Sequence, residues 1–220
     1  MTAPQNKFQS KPMRIDFIAD FSCPWCYVAW RALDVAIAQR GDVAIERHWG
    51  VFLLRPDMPP EGLERAAVMA KMFANQPEKA RASRAALEAA AADSGAPIDL
   101  DAAKILPRTI DAHRLIEWAT GQGKMRKAAD ALFAAYFVEG RNVGDREVLL
   151  DIAAGIGLDR AIVADLLAGE ADWSLVAAAH NSAVEAGVRG VPVTLFGGKF
   201  ARQGAQSVAE YGLLIEAALA

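Results

Sequence analysis

The sequence predicts an α/β protein whose sheet-forming halves are separated by a large all-helical insertion. Three observations carry this. Apolar and polar residues alternate near both ends of the chain, helical spacing fills its middle, and the composition favours helix. Of 220 residues, 53% are hydrophobic and 46 are alanine, so much of the apolar content is small and helix-favouring. That length makes one large domain, or a core fold with an insertion. Charged residues make up 23% and the formal net charge is -3. This balance argues against disorder and against a general polyanion partner such as nucleic acid.

The elements follow in order. In residues 13–20 Ile15, Phe17 and Ala19 alternate with Arg14, Asp16 and Ile18, the pattern of a short strand. Phe21-Ser22-Cys23-Pro24-Trp25-Cys26 comes next. Tyr27, Trp30, Leu33, Val35 and Ile37 then recur at mostly helical spacing until Gly41. Residues 43–49 alternate and are β-branched, a second strand. From about Glu61 to Gly187 the pattern is helical, with segments over 61–74, 77–93, 108–120, 123–138, 145–155, 159–168 and 172–186. Pro77 stands at a start, and Gly140, Gly157 and Gly169 stand near ends. No repeat period links these segments, which excludes a solenoid reading. Gly190-Val191-Pro192 then leads into strand 193–196, Gly197-Gly198 signals a hairpin, and 199–202 returns. A last helix spans 207–219, capped by Ser207. The order β-α-β, helical block, β-β-α is that of a thioredoxin-like fold with a large all-helical insertion. Residues 13–52 and 188–220 would form the thioredoxin-like domain, and 53–187 the insertion.

Cys23 and Cys26 are the only cysteines, three apart. A disulfide scaffold needs more, and the three histidines (His48, His113, His180) are scattered, so no structural metal site is expected. Between a strand and a helix, the first sulfur of Cys-x-x-Cys meets the unpaired N–H groups and positive dipole end of the helix, which favour an anionic sulfur. Pro24 suits the first helical position, where no N–H is needed. Cys23 is thus the candidate nucleophile and Cys26, one turn further in, the resolving thiol. Pro24 and Trp25 flank the sulfur as candidate substrate contacts. Val191-Pro192 reads either as a cis-proline loop beside the thiols, its Val191 backbone offered to a peptide or to glutathione, or as an ordinary strand-starting proline.

DFSCPWCYVAW (20–30), LLRPDMPPEG (53–62), TIDAHRLIEWA (109–119), ALFAAYFVEGRNVGDREVL (131–149) and GVRGVPVTLFGGKFARQGAQ (187–206) together resemble the FrnE-like branch of the DsbA family. Its relatives include 2-hydroxychromene-2-carboxylate isomerase and class kappa glutathione transferase. The resemblance implies a dithiol oxidoreductase roofed by the helical block, with dimers common. Those isomerase and transferase relatives typically carry Ser where Cys23 stands and lack the second Cys, so the Cys pair favours dithiol chemistry over the glutathione-dependent isomerase or transferase alternative. This chain departs from the family at Arg55 and Arg108, where Asn is usual or frequent. Both cations either favour a thiolate or an anionic substrate such as glutathione, or are solvated surface charges. His113 either lines the pocket or is a satisfied structural histidine. His48 and His180 carry no independent signal, and Asp57 reads as a turn former.

The N-terminal MTAPQNKFQSKPMR is polar, and no run reaches the ~18 apolar residues of a membrane span. The expectation is a cytoplasmic protein without a membrane partner. Its partners would be a disulfide-bearing protein or a small thiol, with no tightly bound cofactor, glutathione as a candidate co-substrate, and a candidate homodimer.

Overall fold

The computed structural model describes residues 12–220. The polar stretch ahead of Pro12, read above for targeting signals, lies outside the described residues. Strand β1 (Met13–Ala19) turns Met13, Ile15, Phe17 and Ala19 inward, as its alternation requires. Helix α1 (Pro24–Ala38) follows, then strand β2 (Ile45–Val51). Strand β2 starts two residues later than the sequence pattern predicts. Val43 is held in the preceding turn, its N–H donating to Arg40 O at 3.2 Å, and the ladder begins at Met13 opposite Ile45.

The predicted helix over 61–74 is shorter than expected. Two residues form strand β3 (Leu63–Glu64), and helix α2 covers only Arg65–Met72. Helix α3 (Pro77–Asp93) comes next, then strand β4 (Ile105–Leu106), which pairs antiparallel with β3. Gly62 permits this small sheet: its φ is +75°, and a Cβ there would meet Leu106 O at 2.6 Å. Five helices complete the insertion: α4 (Ile110–Gly121), α5 (Met125–Phe137), α6 (Arg146–Gly155), α7 (Arg160–Ala168) and α8 (Trp173–Glu185). Asp145 and Asp159 cap α6 and α7, each accepting two backbone N–H bonds. Strands β5 (Val193–Phe196) and β6 (Phe200–Gln203) form the hairpin, with Gly197 and Gly198 at φ 58° and 70° as a two-residue turn demands. Helix α9 (Val208–Leu219) opens with a complete capping box between Ser207 and Glu210.

The main sheet has the order β2-β1-β5-β6, with β1 parallel to β2 and antiparallel to β5. This is an α/β thioredoxin-like fold carrying a helical insertion. Helix α1 packs on α9 and also on α3 and α5. One continuous core runs from Ile15 and Phe17 through Trp30 and Leu33 to Leu115, Phe133 and Leu149. The segment leading into the cysteines is anchored in it: Phe21 stacks on Trp49 at 4.6 Å and packs against Phe133 at 5.1 Å. Arg114 is wholly buried. Its guanidinium donates to the carbonyls of Leu166, Gly169 and Ala171 and to Asp111 Oδ1, which fixes the turn between α7 and α8. Among the described residues, no helix is long and apolar enough to cross a membrane.

Candidate active site

Cys23 is the N-cap residue of α1, with extended backbone (φ -93°, ψ 112°) and Pro24 at the first helical position. The Cys23 carbonyl closes the first turn, accepting from Cys26 N at 3.0 Å and Tyr27 N at 3.3 Å. Cys23 and Cys26 are both free in this structure. Cys23 is 5% exposed and Cys26 fully buried. Burial pushes the Cys26 thiol well up from its ordinary value, its contact with Cys23 pushes the same way, and a hydrogen bond to the Asp20 backbone opposes them.

The Val191–Pro192 peptide bond is cis. Cys23 Sγ donates to Val191 O at 3.7 Å, so the loop before β5 borders the outer sulfur across 168 residues of sequence. Pro192 O accepts from Gly204 N at 2.8 Å, and Val193 pairs with Ile18, which ties this loop to both neighbouring strands.

Asp20 carries a structural role that the sequence reading assigned to no residue. Its carboxylate is buried and accepts from Ser22 N at 2.7 Å, Leu54 N at 2.7 Å and Thr109 Oγ1 at 3.3 Å. One side chain therefore joins the cysteine loop, the segment after β2 and the start of α4. The Asp-x-Ser spacing is a local signal for the first contact, since Asp side chains bond backbone two residues on. The other two partners are distant in sequence and leave no local trace.

The remaining candidates separate. Arg55 lines a cleft of about 570 Å³ together with Ser22, Pro24, Trp25 and Leu54, beside Cys23. Arg108 does not line it; its guanidinium lies 5.2 Å from the Trp173 ring and 3.5 Å from Asp111 Oδ2. His113 does not line it either. It is fully buried against Phe21 and Trp49, and its Nδ1 accepts from Trp49 Nε1 at 3.2 Å. Burial pushes the His113 imidazole down to about 4, against the upward pull of Asp20. His180, read as silent, accepts from Leu53 N at 3.2 Å and steadies the segment after β2. Among the described residues, no three His, Cys, Asp or Glu side chains gather as a metal site would need.

A dithiol at the start of the first helix of such a sheet, facing a proline-led strand, defines a thioredoxin-like protein. The chain belongs to the family of the DSBA-like thioredoxin domain, whose family model matches residues 14–215. It is similar to the crystal structure of a probable DsbA oxidoreductase from Streptomyces coelicolor, at 27% identity and a TM-score of 0.82 over 94% of this chain and 90% of that one. It shares its fold with a 2-hydroxychromene-2-carboxylate isomerase, at 17% identity and a TM-score of 0.68 over 94% of each chain. The cytosolic disulfide reductase DsbM from Pseudomonas aeruginosa, solved with GSH, has the same fold at 19% identity and a TM-score of 0.64, over 94% of this chain and 98% of that one. The FrnE-like branch named from the sequence fits this set.

Proposed function

We propose that the protein is a thiol–disulfide oxidoreductase in which Cys23 is the nucleophile and Cys26 the resolving thiol. The observation that carries this reading is the pair's placement: Cys23 caps α1 beside Val191, and Cys26 lies buried one turn inside. The Cys23 thiolate attacks one sulfur of a substrate disulfide and the other sulfur leaves as a thiolate, giving a mixed disulfide with Cys23. Cys26 loses its proton and attacks the Cys23 sulfur, releasing the second substrate thiolate. The substrate disulfide gains two electrons and the protein dithiol loses them; run backwards, the same steps oxidise a substrate dithiol. Cys23 stands at the N-terminal end of α1, the positive end of the helix dipole. Trp25 and Pro24 contact the substrate flanking its sulfur, and the Val191 backbone before Pro192 aligns an extended chain or glutathione.

Glutathione as co-substrate fits this chemistry and the GSH-bound cytosolic relative, and the same likeness supports a cytoplasmic site of action. A homodimer is part of this reading and is checked by sedimentation. The test of the activity is insulin reduction or recovery of scrambled ribonuclease, expected to vanish in Cys23→Ser. The likeness to the isomerase favours one other reading, glutathione-dependent isomerisation or transfer on the same fold. Turnover of an aromatic glutathione-dependent substrate that survives in Cys23→Ser would establish that reading instead.

A further inference from the structure

We infer that the cleft beside the dithiol selects small disulfides that carry an aromatic or other apolar body and a carboxylate. This rests on the dithiol reading above and names the substrate class that reading leaves open.

The cleft begins at Ser22, Pro24 and Trp25, on either side of Cys23 in the chain. Met69, Met72 and Phe73, of α2 and the residue after it, and Leu87 of α3, Leu100 and Leu106 supply the apolar part of its lining. No residue of α2 is buried, and Met72 is 50% exposed. Met69 and Met72 of this helix thus face the cleft without being buried in the core. Methionine walls adapt to ligands of varied outline, because the side chain is unbranched and polarisable. Helix α2 is tied down at its start through the β3–β4 pairing, Arg65 N to Lys104 O at 2.8 Å and Arg65 Nη1 to Leu100 O at 2.6 Å. A volume of about 570 Å³ lies in the range of small-molecule sites.

The charge on the lining is uneven. Arg84 is neutralised by Asp101, at 2.8 and 2.9 Å, and by Glu88 at 2.8 Å. Arg55, Arg65 and Lys104 have no carboxylate within ion-pair distance among the described residues; of the two lining acids, Asp101 is taken up by Arg84 and Glu64 is unpaired. Arg55 follows Leu54, whose N–H is held by Asp20, so its guanidinium is carried on backbone fixed relative to Cys23. An apolar body against the methionine wall with an anion near Arg55 uses both halves of the lining. A cationic disulfide would meet like charge, and a short polar one would leave the apolar wall wet.

The test uses the reduced full-length protein and three disulfides: 5,5′-dithiobis(2-nitrobenzoate), which is aromatic and dianionic; cystamine, aliphatic and dicationic; and 2-hydroxyethyl disulfide, aliphatic and neutral. The rate of Cys23–Cys26 disulfide formation with each is divided by that reagent's rate with free 2-mercaptoethanol, which removes intrinsic reactivity. The expected result is a normalised preference of about tenfold or more for the aromatic dianion over both others. Arg55→Gln is expected to reduce that ratio about threefold, and Met69→Glu by at least as much. Should Met69→Glu fail to fold, Met72→Glu makes the same change at an exposed position. Equal normalised rates, or a ratio unmoved by Arg55→Gln and by the methionine variant, would overturn the inference while leaving the dithiol chemistry standing. So would a normalised rate for scrambled ribonuclease above that of the aromatic dianion. Failure of every disulfide to oxidise the pair would instead defeat the dithiol reading itself.

Discussion

Acidification from pH 7 to pH 4 isolates His113, because its imidazole is held down to about 4 from an ordinary 6.5. It sits fully buried, between Phe21, Trp49 and the start of the insertion. As pH falls through 6.5, the unfolded chain takes up a proton on this residue while the folded protein does not. Its contribution to stability is therefore complete above about 6.5, declines as pH falls, and is lost near 4. The difference of some 2.5 pH units corresponds to about 3 kcal/mol. That is a large share of the ~5–15 kcal/mol that holds a domain together. Urea titrations at pH 7, 5.5 and 4, followed by tryptophan fluorescence, measure it in the wild type and in His113→Gln. Gln retains an acceptor for Trp49 Nε1 and does not titrate. The wild type should lose about 3 kcal/mol more than the variant between pH 7 and 4. All other titrating groups are common to both proteins, so parallel stability curves would refute the claim that His113 is buried as a neutral base.

Other outcomes follow from the same contacts. Asp20→Ala strips the acceptor from two buried N–H groups and the Thr109 hydroxyl, and is expected to destabilise by about 3–5 kcal/mol in urea unfolding. Arg114→Met leaves three carbonyls without their guanidinium donor and removes one of the donors to Asp111; a loss of about 3–5 kcal/mol is expected, with faster hydrogen exchange over 166–172. Arg114→Lys should recover little of it, since an ammonium cannot span that fork of acceptors. Burial and the raised thiol of Cys26 predict that iodoacetamide at neutral pH labels the native protein once, at Cys23, and the urea-unfolded protein twice, read by mass spectrometry.

What could be read from the sequence divides by distance along the chain. Strand β1, the Cys-x-x-Cys turn, the β5–β6 hairpin and the Ser207 cap are local events, each written in a few adjacent residues. The β3–β4 pair escaped because two residues are too few to display a period of two, and Leu63 and Glu64 read as the first turn of a helix. Arg55 and Arg108 were equivalent as sequence, each a cation where the family tends to place Asn. Packing separates them, one onto the cleft beside Trp25 and the other onto Trp173. Asp20 stood in view beside the cysteines, but Leu54 and Thr109, which give it its purpose, are 34 and 89 residues away.

The contact between Cys23 and Val191 has a consequence during synthesis. The sulfur emerges from the ribosome 168 residues before the carbonyl that will border it. At ~5–20 residues per second, that is an interval of roughly 8–34 s. Through it the nascent chain holds β1, α1 and β2 but not β5, so β1 lacks its partner on one side. The thiol spends that time as a group on an unfinished sheet edge, open to whatever disulfides surround it. A compartment rich in reduced small thiols would let the chain reach β5 with both sulfurs intact.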